Sequence, residues 1–270
     1  MGKVYIIISG KGGVGKTTSA INLGISINEL GKEVIIVDAN LTTPNIGLHL
    51  GSPIVPITLN HVINNKAKIE EAIYEHESGA KIMPASLSIG ELKSINHEKL
   101  PDITKKLKKI SDYVFLDSSA GLGEESKSAM KAADEVIIIT NPEISAVTDA
   151  LKTIKIAEEM EKPVIGVIIT RHEGRKWEMD IPTIHDMLEV PVLGIIPEDN
   201  SVKESQRMKN AVIRTHPTSK AARAYNKIAL KILGPDFLKE ENKNNRNRTS
   251  REARKKEGFF RYFLRKIGLR

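Results

Sequence analysis

Gly10-Lys11-Gly12-Gly13-Val14-Gly15-Lys16-Thr17 fits the pattern G-x-x-x-x-G-K-(S/T). It stands directly after the apolar run Val4–Ser9 and directly before a helical pattern over residues 17–30. Glycines let such a loop curl with its amide hydrogens converging on an anion. Lys16 then sets a positive charge against the β- and γ-phosphates, and the Thr17 hydroxyl is placed for Mg²⁺. The bare pattern arises by chance in roughly one chain of this size in a hundred. The strand–loop–helix context makes a merely structural glycine turn the poorer reading.

On either side of this loop the chain alternates. Short β-branched runs recur at Val4–Ser9, Val34–Asp38, Lys81–Pro84, Tyr113–Asp117, Glu135–Thr140, Val164–Thr170 and Val192–Ile196. Most lack polar alternation, as in strands buried on both faces of a parallel sheet. Helical patterns over 17–30, 98–110, 123–133, 145–160 and 201–209 separate them. The fold class is therefore α/β, a doubly wound, mostly parallel sheet with helices on both faces. Ligands of such sheets bind beyond the carboxyl ends of the strands. A Mg·nucleotide site also needs an acid at the end of a neighbouring strand, and Tyr113–Asp117 is an apolar strand ending in carboxylate. Asp117 is the candidate metal residue beside Thr17; taken alone, a strand-terminal Asp is as often a loop cap.

Composition narrows the class further. The 270 residues are 40% hydrophobic and 28% charged, which excludes wholesale disorder and a polytopic membrane protein. The absence of cysteine removes disulfides, thiolate metal sites and cysteine nucleophiles. No apolar run approaches a membrane span, and the N-terminal run turns polar at Ser9, too early for a signal peptide, so a cytoplasmic location is expected. The net charge of +7 is local: residues 239–270 hold twelve Lys/Arg against four Glu, and the preceding 238 hold 29 against 30. A near-neutral body gives no basis for a nucleic-acid face, and no specific nucleic acid is expected.

Lys11-Gly12-Gly13-Val14-Gly15-Lys16-Thr17-Thr18, with its extra early lysine, resembles the deviant Walker A box of the MinD/ParA ATPases. The resemblance covers most of the chain and is strongest to the MinD branch. Asp117-Ser118-Ser119-Ala120-Gly121 is similar to its D-S-P-A-G switch, Thr140-Asn141-Pro142-Glu143 to T-N-P-E, and Ile196-Pro197-Glu198-Asp199 to I-P-E-D. It implies ATP and Mg²⁺ as cofactors and a homodimer closed around two ATP molecules. Lys11 would reach the partner's phosphates, Thr170, Arg171, Pro197 and Glu198 would flank the adenine, and Asp149 would lie near the dimer and partner surface. A second lysine on the loop is interpretable without the family. Lys16 serves the phosphates of its own chain, and Lys11 on the outer side faces either solvent or a second subunit.

The match fails at one acidic position. The family pattern after the second strand is an aspartate, one residue, and a second aspartate; here Asp38-Ala39-Asn40 replaces the second acid with an amide. An amide cannot take up a proton, yet phosphoryl transfer depends mainly on positioning and charge stabilisation. Lys11, Lys16, Asp38 and Asn40 form the candidate catalytic set, with slow hydrolysis expected. Ser119 in place of the family proline is a lesser departure.

The tail carries a separate signal. Helix 217–233 is expected to stop at Gly234-Pro235, followed by a polar, basic linker over 239–258 and an amphipathic helix over 259–270. Phe259, Phe260, Phe263, Leu264 and Ile267 fall within an arc of about 140° on that helix. Basic flanks with bulky apolar residues match an anchor lying on an anionic membrane surface. A final core helix and a nucleic-acid arm are the competing readings. The expected organisation is an ATPase domain over 1–238, the linker, and the anchor. The expected function is an ATP-driven dimer that binds the inner face of the cell membrane, with regulatory protein partners, for spatial positioning such as division-site placement. A DNA-partition ATPase and a non-hydrolysing ATP-binding adaptor are the alternatives. Iron–sulfur carriers sharing this loop are disfavoured because their cluster cysteines have no counterpart here.

Overall fold

The computed structural model describes residues 2–92 and 96–247. Among the described residues eight strands run β1 (Lys3–Ser9), β2 (Val34–Asp38), β3 (Tyr74–Glu75), β4 (Lys81–Met83), β5 (Tyr113–Ala120), β6 (Glu135–Thr140), β7 (Val164–His172) and β8 (Val192–Pro197). Helices are α1 (Lys16–Glu29), α2 (Ile46–His49), α3 (Leu59–Ile63), α4 (Ile89–Leu92), α5 (Leu100–Leu107) and α6 (Glu124–Lys131). The chain continues through α7 (Ile144–Glu159), α8 (Ile181–Leu188), α9 (Asn200–Arg207), α10 (Val212–Thr215) and α11 (Lys220–Asn247). The sheet order is β3-β4-β2-β5-β1-β6-β7-β8, and every neighbour pair is parallel except β3 with β4. The doubly wound sheet expected from the alternation is present; the antiparallel β3, two residues long, is below what periodicity registers.

Period-two geometry divides each strand between two cores. Val4, Ile6 and Ile8 of β1 point to one face, where they join Leu116 and Ile138 beneath Leu107 of α5, Met130 of α6 and Ile154 of α7. Tyr5 and Ile7 point to the other, with Phe115 and Ile137, beneath Leu23 and Ile27 of α1 and Ile228 of α11. Each fully buried Ile or Leu contributes about 1.5–3 kcal/mol. Central strands covered on both sides hold the loops at their carboxyl ends rigidly, and the phosphate loop leaves from the middle of the sheet.

The expected stop at Gly234 is a break rather than an end. Gly234 adopts φ 80°, ψ 169°, outside helical space, and helix resumes from Pro235 to Asn247. Proline lacks the N–H that the helix interior needs but suits the first turn of a new segment. Residues 239–247 of the expected linker are thus helical; its remainder and the expected anchor, 259–270, lie outside the described residues.

Candidate functional site

The P-loop connects β1 to α1 with Gly13 at φ 77° and Gly15 at φ 96°, left-handed conformations that a side chain would strain. Gly10 is required for a different reason. A Cβ there would lie 2.5 Å from the Asp149 carbonyl oxygen and 2.7 Å from its Cβ, so α7 abuts the first residue of the loop. Gly10→Ala is expected to push the loop off α7, costing about 1–3 kcal/mol of stability and weakening Mg·ADP binding by about tenfold or more. Thermal melting and calorimetric titration read both quantities. The Asp149 side chain itself pairs with Lys152 at 3.1 Å.

The two loop lysines face opposite ways. Lys16 is 8% exposed and its Nζ donates to Ser9 Oγ at 3.0 Å, while that hydroxyl donates to the Lys11 carbonyl at 2.6 Å. Burial lowers the Lys16 ammonium, and the Asp117 charge opposes the shift. Lys11 reaches over the outside, donating to Glu143 Oε2 at 2.8 Å and to Ser145 Oγ at 3.3 Å. That hydrogen bond and charge hold Glu143 below its ordinary range. Ser9 and the Glu143–Ser145 partners were not among the residues expected, although Glu143 lies inside the T-N-P-E stretch.

Asp38 and Asp117 are cross-strand neighbours on β2 and β5, both fully buried. Asp38 accepts from the amides of Asn45 (2.8 Å) and Ile46 (2.9 Å) through Oδ2, and from Asn40 (3.3 Å) through Oδ1. Burial pushes its carboxyl well above the usual range and the Asp117 charge adds to this, against those three amides. Burial pushes Asp117 up to about 7, with the Thr17 hydroxyl and the Lys16 ammonium pulling the other way. Among the described residues neither Asp117 oxygen is in a close hydrogen bond, with the Thr17 hydroxyl standing nearby. An orphaned buried carboxylate beside a hydroxyl and an ammonium fits Mg²⁺, which prefers oxygen ligands and keeps several waters. Thr17 and Asp117 are the residues that would hold it.

Asn40 is brought beside this pair, but its carboxamide is engaged by its own loop. Nδ2 donates to the Thr43 carbonyl at 2.6 Å, and Oδ1 accepts from the Thr43 amide (3.2 Å) and hydroxyl (3.0 Å). Thr42 clasps Glu125 at the start of α6 through its amide and hydroxyl, each at 3.0 Å, joining the loop after β2 to the one after β5. Ser119 acquires a role that proline could not fill: its hydroxyl meets Ser126 Oγ at 2.9 Å, tying the switch segment to α6.

Thr170, Arg171, Pro197 and Glu198 line one cleft with Val14, Gly15 and Thr18 of the P-loop. Thr170 Oγ1 donates to the Val14 carbonyl at 2.6 Å, fixing the loop to β7. Arg171 sits at φ 55°, left-handed for a side-chain residue at the rim of this cleft. The same cleft includes Gln206, which motif reading did not single out, and Asp199, the last residue of the I-P-E-D stretch, which caps α9 through the Ser201 amide at 2.9 Å.

A family model described as "ParA: NUBPL iron-transfer P-loop NTPase" matches residues 1–233. The chain belongs to the MinD/ParA family of P-loop ATPases. An ATP-binding protein of Methanocaldococcus jannaschii is 37% identical over 231 residues, 86% of this chain and 88% of its own. The septum site-determining protein MinD of Bacillus subtilis is 33% identical over 256 residues, 90% and 95% of the two chains. Among solved structures, MinD of Pyrococcus horikoshii complexed with Mg-ADP superimposes with a TM-score of 0.84 at 34% identity, covering 88% of this chain and 99% of that one. The Mg-ADP of that MinD structure places nucleotide and Mg²⁺ binding within the family, and the cysteine-free sequence has no thiolate for iron. Among the described residues no helix is long and apolar enough to cross a membrane.

Proposed function

We propose that this MinD-like ATPase dimerises on Mg·ATP, binds an anionic membrane surface through the apolar and basic residues of 259–270, and is released by slow hydrolysis, serving spatial positioning such as division-site placement. The observation that carries the reading is the division of labour between the two lysines. Lys16 is buried under the loop, whereas Lys11 lies outside it in a pair whose members are 40% and 55% exposed. An exposed ion pair contributes only about 0–1 kcal/mol, so a second subunit's phosphate charge can displace it. Lys11, Asp149 and the α7 surface beside Glu143 would then line the dimer face. Mg²⁺ would supply charge neutralisation between phosphate oxygens, and Lys16, Thr17 and Asp117 would hold it and the nucleotide in register.

The membrane step is tested by sedimentation of the full chain and a 1–258 truncation with anionic liposomes, under ATP or ADP. ATP-dependent pelleting of the full chain alone is expected. Two anchors on one dimer gain about 10²–10⁴ over one, and equal pelleting of both proteins would remove the anchor.

Asn40 favours a second reading, a non-hydrolysing adaptor, because its carboxamide is held by Thr43 rather than open to a water. Asn40→Asp sets a carboxylate oxygen against the Thr43 carbonyl and costs about 1–3 kcal/mol. It is expected to raise phosphate release above that of the wild-type protein. An unchanged rate, measured against a Lys16→Ala blank, would end any water-positioning role for residue 40.

A further inference from the structure

Beyond the nucleotide site, the two edges of the sheet differ. One ends in the two-residue β3; at the other, β8 pairs with β7 on one side and with no strand on its outer side among the described residues. Helix α11 runs antiparallel beside β8. Lys231 Nζ donates to the Leu193 carbonyl at 2.7 Å, a Cβ on Gly194 would come within 2.4 Å of Ile228 Cγ1, and the Ala221 amide donates to Asp199 Oδ2 at 3.1 Å. Between them lies a groove floored by Leu193, Gly194, Ile195 and Pro197 and walled by α11. Val192–Ile195 are all half-buried, whereas the interior strands are closed on both faces.

Four exposed cations stand along the wall: Lys220, Arg223, Lys227 and Lys231. None of their side-chain charges is paired with a carboxylate among the described residues. At a rise of about 1.5 Å per residue, Arg223, Lys227 and Lys231 are about 6 Å apart along the helix. Side chains on one face of an extended strand repeat every ~6.7 Å. Carboxylates at alternate positions of a strand laid along β8 would therefore meet successive cations, while its backbone used the open edge. We propose that the β8–α11 groove binds an acidic protein segment as an added strand, with Asp or Glu at every second position facing Arg223, Lys227 and Lys231.

The charge pattern selects this occupant. The chain's own remaining tail, 248–270, holds nine Lys/Arg against two Glu and is repelled by the same wall. Lipid headgroups and duplex nucleic acid would satisfy the cations but not the strand edge. Lys231 occupies the Leu193 carbonyl in the free protein, which keeps the edge from pairing indiscriminately, and a carboxylate on the incoming strand would draw it away.

The test is fluorescence anisotropy of the full chain with a labelled eight-residue peptide alternating Glu with Val or Thr. A peptide of the same composition with its glutamates in one block, and an alternating peptide N-methylated at every second amide, are the comparators. The alternating peptide is expected to bind about tenfold or more tighter than either. Arg223→Glu/Lys227→Glu is expected to lose that binding by about tenfold or more while keeping its Mg·ADP affinity, which reports that it folds. Absence of binding, or equal affinity for the three peptides, overturns the proposal. If the charge-reversed protein instead loses anionic vesicles or duplex DNA while the peptides stay indistinguishable, the stripe is a general polyanion surface and the strand proposal fails.

Discussion

Lys11→Ala should remain monomeric at saturating Mg·ATP, in sedimentation experiments where the wild-type chain is expected to dimerise. The substitution removes the only loop cation that points outward, and the folded state loses little with it. Its partner Glu143 is half exposed, so water replaces the lost bond at a cost of about 0–1 kcal/mol. In the proposed dimer the same charge sits against phosphate in a site closed to water, where a cation supplied in trans to a transferring phosphoryl group contributes on the order of 10³-fold or more. Monomeric behaviour, ATPase activity reduced on the order of 10²-fold or more, and an unchanged melting temperature are therefore expected together. ATP-dependent dimers of Lys11→Ala at wild-type affinity would show that the outer lysine has no part in assembly.

Asp117→Asn should stabilise the nucleotide-free protein and disable it. In the folded state Asp117 holds its proton up to about pH 7 because it is buried, whereas the unfolded chain releases it near pH 4. Between those values the folded state binds more protons than the unfolded one. Stability therefore falls as pH rises through that window, by up to about 1.4 kcal/mol per pH unit, and levels off above it. Asparagine removes the slope that Asp117 contributes. In EDTA, variant and wild type should melt alike near pH 4, and the variant should be the more stable by on the order of 1–3 kcal/mol at pH 8. The same change takes a charge from the proposed metal position, so the Mg²⁺ concentration needed to bind nucleotide should rise by about tenfold or more. Parallel melting profiles for the two proteins between pH 4 and pH 8 would contradict the buried-carboxylate account.

Stability and function pull against each other at this pair. Asp38 has three backbone amides directed at it, yet burial and Asp117 still hold it toward its neutral form. Asp117 has no backbone amide directed at it. Two neighbouring buried acids are a poor choice for a resting fold and a good one for a site that receives a cation.

Much of this was legible along the chain. The P-loop, the seven longer strands and the clearest helices follow from local rules: glycine at left-handed positions, apolar runs without alternation, helical spacing. Asp117 was found because it ends the apolar run 113–117, although β5 itself continues to Ala120 and leaves Asp117 inside the strand, and Asn40 because it interrupts a motif. Less local features escaped. The two-residue β3 has too few residues to carry a period, and the helix beyond Gly234 runs through a polar stretch that offers no apolar face to read.

The sequence by itself determined the family, the phosphate loop and the order of the seven longer strands and the clearest helices, because each is written in residues that are neighbours along the chain. Only the tertiary structure decided the partners. Lys11 finds Glu143 from 132 positions away, Asp38 lies against Asp117 because β2 and β5 are adjacent in the sheet, and the cations of α11 line β8 because that strand is the last one. Such contacts depend on which elements pack side by side, and local periodicity carries no record of that choice.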